Sequence, residues 1–160
     1  MRRLLPLLLP LLLLIVLPVR AAPPCEGGKL KSPIFRLPSV TLRAGAANRL
    51  KLTARHLDGL GIDISMTYDD AVVQVTNVTP GPAAEGHYVL WNVPESGLLK
   101  IAMFGTEPLS GNGTLLVISV AATYDTVPGQ SQDRTALQLD VTVDEGAITA
   151  CTIDGRLRIV

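Results

Sequence analysis

The chain has 160 residues with 14 basic and 14 acidic side chains, and it is 48% hydrophobic but only 4% aromatic. This length supports one domain with a sizeable core, and the charge balance lacks the basic excess that holds nucleic acid. The scarcity of rings also leaves a sugar-stacking platform without its coplanar row.

Met1-Arg2-Arg3 sets positive charge before the apolar run Leu4 to Val19, and small residues follow at Ala21-Ala22. This is the pattern of a cleavable secretory signal. The run is about 16 residues, short of the roughly 20 that a spanning helix needs, and Pro6, Pro10 and Pro18 interrupt it. Cys25 follows Ala22-Pro23-Pro24, not the aliphatic-small-small approach of a lipidated cysteine. The sequence therefore predicts a signal peptide over 1–22, a Pro-, Gly- and Lys-containing linker over 23–37, and one domain over 38–160, with no membrane span after cleavage. Cleavage removes Arg2, Arg3 and Arg20, so 14 acidic residues then outweigh 11 basic ones. The only basic cluster read in the sequence is Lys29 to Lys31, in the linker, and no nucleic-acid partner is expected.

Cys25 and Cys151 are the only cysteines. After export an even pair points to a disulfide, with two separate thiols as the alternative. A bridge would close a loop of about 125 residues, for which the chain-entropy model gives about 5 kcal/mol as an upper figure. Neither cysteine has the partner spacing of a zinc site or a redox motif.

The domain reads as short strands separated by Gly, Pro, Asn and Asp. They are Ser39 to Leu42, Leu50 to Ala54, Ile62 to Tyr68, Val72 to Val78, His87 to Val93, Leu98 to Phe104, Thr114 to Ala122, Ala136 to Val143, Ile148 to Ile153 and Arg156 to Val160. The clearest is the third, where Ile62, Ile64, Met66 and Tyr68 alternate with Asp63, Ser65, Thr67 and Asp69. Asp69-Asp70 breaks this strand, and β-branched residues resume it at Val72. No stretch sustains a helical period. The fold class is all-β, a two-sheet sandwich of jelly-roll or Greek-key type with about nine strands.

A glycine-led strand ending in Tyr68-Asp69, a second strand in Val-x-Val and the Pro80-Gly81 loop together resemble the cohesin domain, the dockerin receptor module of cellulosome-type assemblies. The strand Leu98 to Phe104, a turn at Gly111-Asn112-Gly113 and a closing Asp154-Gly155 turn agree, so the resemblance spans about 38 to 160. It implies that one exposed sheet face grips a calcium-loaded, helical dockerin module, with the calcium on the partner's side. Carried over by position, Asp63 falls where the family often places an acidic contact, and Gly61 falls where it often places an amide. The glycine departs from that pattern and removes a side-chain contact. Near the family's acid after its sixth strand stand Gly105 and Thr106, with Glu107 displaced.

Alternation adds Ser65, Trp91, Val93, Lys100, Ala102, Gln138 and Asp140 as candidate partner contacts. Trp91, the sole tryptophan, has two readings: sheet packing, or interface anchor.

Catalysis finds no support. His56 and His87 lie outside any metal spacing, and no serine sits in a Gly-x-Ser-x-Gly elbow. Asp69-Asp70 and Asp144-Glu145 are adjacent in sequence, so on a strand they would point to opposite faces and not flank one bond. No Asp-x-Asp-x-Asp-Gly calcium loop is present, and no cofactor is expected. The resemblance, with the signal pattern, implies a secreted or cell-surface receptor module for a dockerin-bearing protein, in the setting of extracellular polysaccharide degradation. The alternative is a carbohydrate-binding sandwich module.

Overall fold

A computed structural model describes residues 32–123 and 133–160. Among the described residues nine strands run in chain order: β1 Ile34–Arg36, β2 Ser39–Leu42, β3 Ala47–Thr67, β4 Val73–Pro80, β5 Tyr88–Glu95, β6 Leu98–Ala122, β7 Arg134–Val143, β8 Cys151–Ile153 and β9 Gly155–Ile159. The helical elements among the described residues are two single 3-10 turns, Pro82–Ala84 and Asp144–Gly146.

Two strands are far longer than the pattern suggested, because β3 and β6 each join two expected strands into one. They pair antiparallel over their whole length, and register shifts at Leu52/Thr53, Ala54/Leu57 and Gly59/Gly61 let the ribbon bend. The second half of β3 lies beside β7 and the first half beside β1, so the ribbon serves two layers. The first layer is β5, β6, β3, β7, β9 and β2; the second is β4, β6, β3, β1 and β8. One apolar cluster fills the space between them, with Ile62, Ile64, Ile101 and Met103 from the first layer and Leu50, Leu52, Ile118 and Val120 from the second. This is the β-sandwich of jelly-roll type that the alternation implied.

Gly111-Asn112-Gly113 is not the expected turn. It lies inside β6 at the bend, where Gly111 takes φ 92° opposite Leu57, and the Asn112 Oδ1 accepts a hydrogen bond from the His56 amide at 2.8 Å. His56 itself has φ 53°. Nor do β8 and β9 form a closing hairpin: β8 runs parallel to β1, whereas β9 runs parallel to β2 and antiparallel to β7. The segment between them crosses from one layer to the other, and the Asp154 carboxylate ties it to β7 through the Leu139 amide at 2.8 Å. The Asp69-Asp70 corner forms as read, with the Asp69 carbonyl accepting from Val72 and Val73 at 3.1 Å each. Beside it, burial raises the pKa of Tyr68 and Asp70 adds to that, while a backbone hydrogen bond with Val75 works the other way.

The described part of the expected linker belongs to the domain. Ile34–Arg36 joins the second layer, and Phe35 and Leu37 are fully buried. Alternation over three residues is too short to read as a strand, so a Pro-rich flank masked it. Residues 1–31, including the expected signal and Cys25, lie outside the described residues.

The bend of β3 depends on Asp144. Its Oδ1 accepts hydrogen bonds from the amides of Leu60 at 2.8 Å and Gly61 at 2.9 Å, where the bulge leaves them unpaired. A Cβ at Gly59 would stand 2.6 Å from the Val143 side chain, so this approach requires glycine. Two stability predictions follow from these anchors, both read from denaturant midpoints. Phe35→Ala should cost about 3–5 kcal/mol as a large-to-small change at a fully buried site. Asp144→Ala should cost about 1–3 kcal/mol by orphaning two amides, whereas Asp144→Asn, which keeps an accepting oxygen, should recover most of the loss.

Candidate functional site

Strand pairing fixes which side chains share the outer face of the first layer, because directly opposed residues point the same way. Four rows run across this face, three of them over β5, β6, β3 and β7 and the first over β5, β6 and β3. Tyr88 stands opposite Phe104, which stands opposite Gly61. Leu90, Ala102, Asp63 and Thr142 form the second row, and Asn92, Lys100, Ser65 and Asp140 the third. Glu95, Leu98, Thr67 and Gln138 form the fourth. Thus Asp63, Ser65, Lys100, Ala102, Gln138 and Asp140 are brought onto one face.

Trp91 is not on it, and Val93 falls at the register shift between Asn92 and Glu95, where no cross-strand pair assigns it to the face. Trp91 pairs with Ile101, which is 3% exposed and points into the core, so the pleat sends the tryptophan to the inner side of β5. β5 is an edge strand paired only with β6, and its inner side is incompletely covered; Trp91 therefore remains 36% exposed there. The sequence showed the alternation of β5 but not its phase. Both phases contain large apolar residues, so nothing in the segment itself says which set faces outward.

The phase that does face outward supplies the residues the sequence reading missed. Tyr88, Leu90 and Phe104 are 68%, 61% and 46% exposed. The two rings stack with centroids 5.6 Å apart and planes at 26°. Leu60, exposed in the bulge before Gly61, lies at the same end of β3. One corner of the face is therefore apolar, and its signal in the sequence was the set Tyr88, Leu90 and Asn92 once the phase is known.

Two contacts hold that corner. The His87 ring nitrogens approach the carbonyl oxygens of Glu85 at 3.2 Å and Glu107 at 2.8 Å, which joins the start of β5 to β6. The ring lies over Gly105, where a Cβ would stand 2.5 Å from its Cδ2. Farther along, Asp63, Ser65, Leu90, Asn92, Lys100 and Ala102 line an open depression of about 490 Å³. Its floor includes Ile64, Trp91 and Ile101, positions whose side chains the pleat directs inward.

Asp63, Lys100 and Asp140 form no ion pair among the described residues; the salt bridges there join Asp133 to Arg134 at 3.2 Å and to Arg158 at 4.0 Å. The face thus presents uncompensated charge of both signs next to exposed apolar area. Mixed charge beside exposed apolar area is the make-up of a surface that can pack against another protein. Among the described residues no group of three His, Cys, Asp or Glu side chains gathers as a metal site. Cys151 lies half-buried in β8 and is not a free thiol, and Cys25 lies outside the described residues.

No family model and no curated protein matches the chain by sequence. Solved structures do match its shape. A non-cellulosomal cohesin from the hyperthermophilic archaeon Archaeoglobus fulgidus is 21% identical, with 81% of this chain and 91% of that chain covered at a TM-score of 0.68. A type I cohesin–dockerin complex from Clostridium thermocellum contains a chain 14% identical, covered over 81% and 99%, at 0.67. A cohesin from Clostridium acetobutylicum is 15% identical, covered over 81% and 91%, also at 0.67. The chain has the fold of the cohesin modules.

Proposed function

We propose that the chain is a secreted, non-catalytic receptor module that holds a dockerin-type protein partner on the outer face of β5, β6, β3 and β7. The observation that carries this reading is the composition of that face: the exposed Tyr88, Leu90 and Phe104 corner beside unpaired Asp63, Lys100 and Asp140. Buried apolar anchors supply most interface energy, while charges set orientation and register. The fold adds support, since similar solved structures include cohesins in complex with dockerins.

In this reading Tyr88, Leu90 and Phe104 replace Trp91 as the anchors, and Asp63 orients the partner. The calcium belongs to the dockerin. Export rests on the signal pattern of residues 1–22, and the setting is the assembly of extracellular polysaccharide-degrading proteins. Cys25 bridges Cys151, tying the segment ahead of β1 to β8, the parallel neighbour of β1. Sugar binding by ring stacking has less support, because Tyr88 and Phe104 stack on each other and not side by side.

Capture from secreted proteins, with and without a calcium chelator, followed by titration of the captured dockerin-bearing protein, tests the docking reading. Leu90→Asp and Phe104→Ala should each weaken binding about tenfold or more, Asp63→Asn several-fold, and Trp91→Ala less than about threefold. Retention on cellulose or chitin without chelator-sensitive capture would favour the sugar reading instead. If Trp91→Ala outweighed Leu90→Asp, the face assignment would be reversed. For the cysteines, the secreted chain should resist alkylation by iodoacetamide until it is reduced; labelling of the native protein would exclude the bridge.

A further inference from the structure

The second layer turns a different surface outward. Arg49, Lys51 and Arg55 alternate with the buried Leu50, Leu52 and Ala54 along the first half of β3. Thr53 occupies the remaining outward position, and Arg36 of β1 stands directly opposite it. Four cations therefore succeed one another at steps of two residues, about 7 Å each, making a line about 20 Å long.

The strand segments of this layer are Val73–Pro80, 113–122, 47–55, Ile34–Arg36 and Cys151–Ile153, and they contain no Asp or Glu. None of the four cations has an ion pair among the described residues. The reading of Lys29 to Lys31 as the only basic cluster is thereby corrected. The stripe escaped notice because the pleat spaces its members two apart and because Arg36 joins from another strand.

We propose that this stripe binds a linear acidic polysaccharide through the carboxylates of successive sugars. At its end, Arg36, Thr53 and Arg55 surround a depression of about 180 Å³ with Ile34 and Ile153 as walls. Two guanidinium groups and a hydroxyl around a small pocket suit a planar carboxylate, which arginine engages in bidentate fashion. Lys51 and Arg49 continue the positive line for the next anionic groups. Hydroxyl and amide side chains flank it on β6 and β4, where Ser119 stands opposite both Arg49 and Asn77, and can bond to sugar hydroxyls.

The geometry favours this occupant over others. A bilayer offers charge in two dimensions, whereas this is a single line. Single-stranded nucleic acid wants rings to stack upon, and the outward positions of the five segments carry none among the described residues. The inference does not rest on the docking reading, because it uses the opposite layer.

Affinity electrophoresis of the full chain through polygalacturonate, at low and at 200 mM salt, provides the test, with neutral dextran as reference. Retardation should occur in polygalacturonate and not in dextran, and should weaken with salt. The double variant Arg36→Gln/Arg55→Gln should bind about tenfold or more weakly, while Arg43→Gln/Arg156→Gln, which removes the same charge elsewhere, should change binding less than about threefold. Circular dichroism checks folding, and Arg49→Gln/Lys51→Gln gives a second pair along the same line. Absence of retardation at low salt would overturn the proposal, as would equal losses from the stripe and control pairs. Stronger binding to phosphatidylglycerol vesicles or to DNA than to polygalacturonate would overturn it as well.

Discussion

The pairing of β3 with β6 is the interaction on which the rest of this molecule depends. The two strands stay together over both layers, so neither layer exists without the other. A continuous ribbon in a sandwich faces a geometric difficulty, since its inward side must remain inward after the bend. β6 shows how this is met. Leu99, Ile101 and Met103 are buried at odd positions, whereas Leu116, Ile118 and Val120 are buried at even ones. The change occurs where Leu115 and Leu116 are both fully buried and the register against β3 shifts. A bulge inserts one residue and resets the phase. On β3, His56 takes a positive φ at the next register shift, between Ala54 and Leu57, and Asn112 accepts from its amide across the ribbon.

This division explains what was legible in the sequence. The alternation from Ile62 to Thr67 could be read, though not the strand's bounds, because one set of positions is apolar and the other polar. The joining of two segments into β6 could not, since Gly111-Asn112-Gly113 has the composition of a tight turn and serves here as a bend. Turn residues report permissive backbone, not whether the chain reverses. β1 was hidden for another reason. Its value lies in Phe35 and Leu37 filling the core, and tertiary burial of that sort leaves no periodic trace in three residues.

Charge gives a parallel case. The acidic and basic totals of the full chain are equal, yet the strands of the second layer carry only the basic kind. The face with Asp63 and Asp140 carries mixed charge, while the opposite layer carries Arg36, Arg49, Lys51 and Arg55 with no acid on its strands. Composition sums over both sides of a sheet and cannot register such a separation. Only the strand phase and the pairing partners together place the cations in one line.

The same consideration bears on Trp91 and Leu90 as anchors in the proposed docking. Ranking by residue type selects the tryptophan, because large rings dominate interfaces. Phase selects the leucine: its partner Ala102 lies on the face with Asp63, whereas the partner of Trp91 is the buried Ile101. An anchor contributes only if a partner can cover it together with its neighbours. Leu90 adjoins Tyr88, Phe104 and the depression beside Asp63, so one ligand can cover all of them at once. Trp91 meets the same depression only at its floor, with its side chain directed inward by the pleat. Position relative to the ladder therefore outweighs size, and the strength of any contact here is set by which neighbours the pleat brings with it.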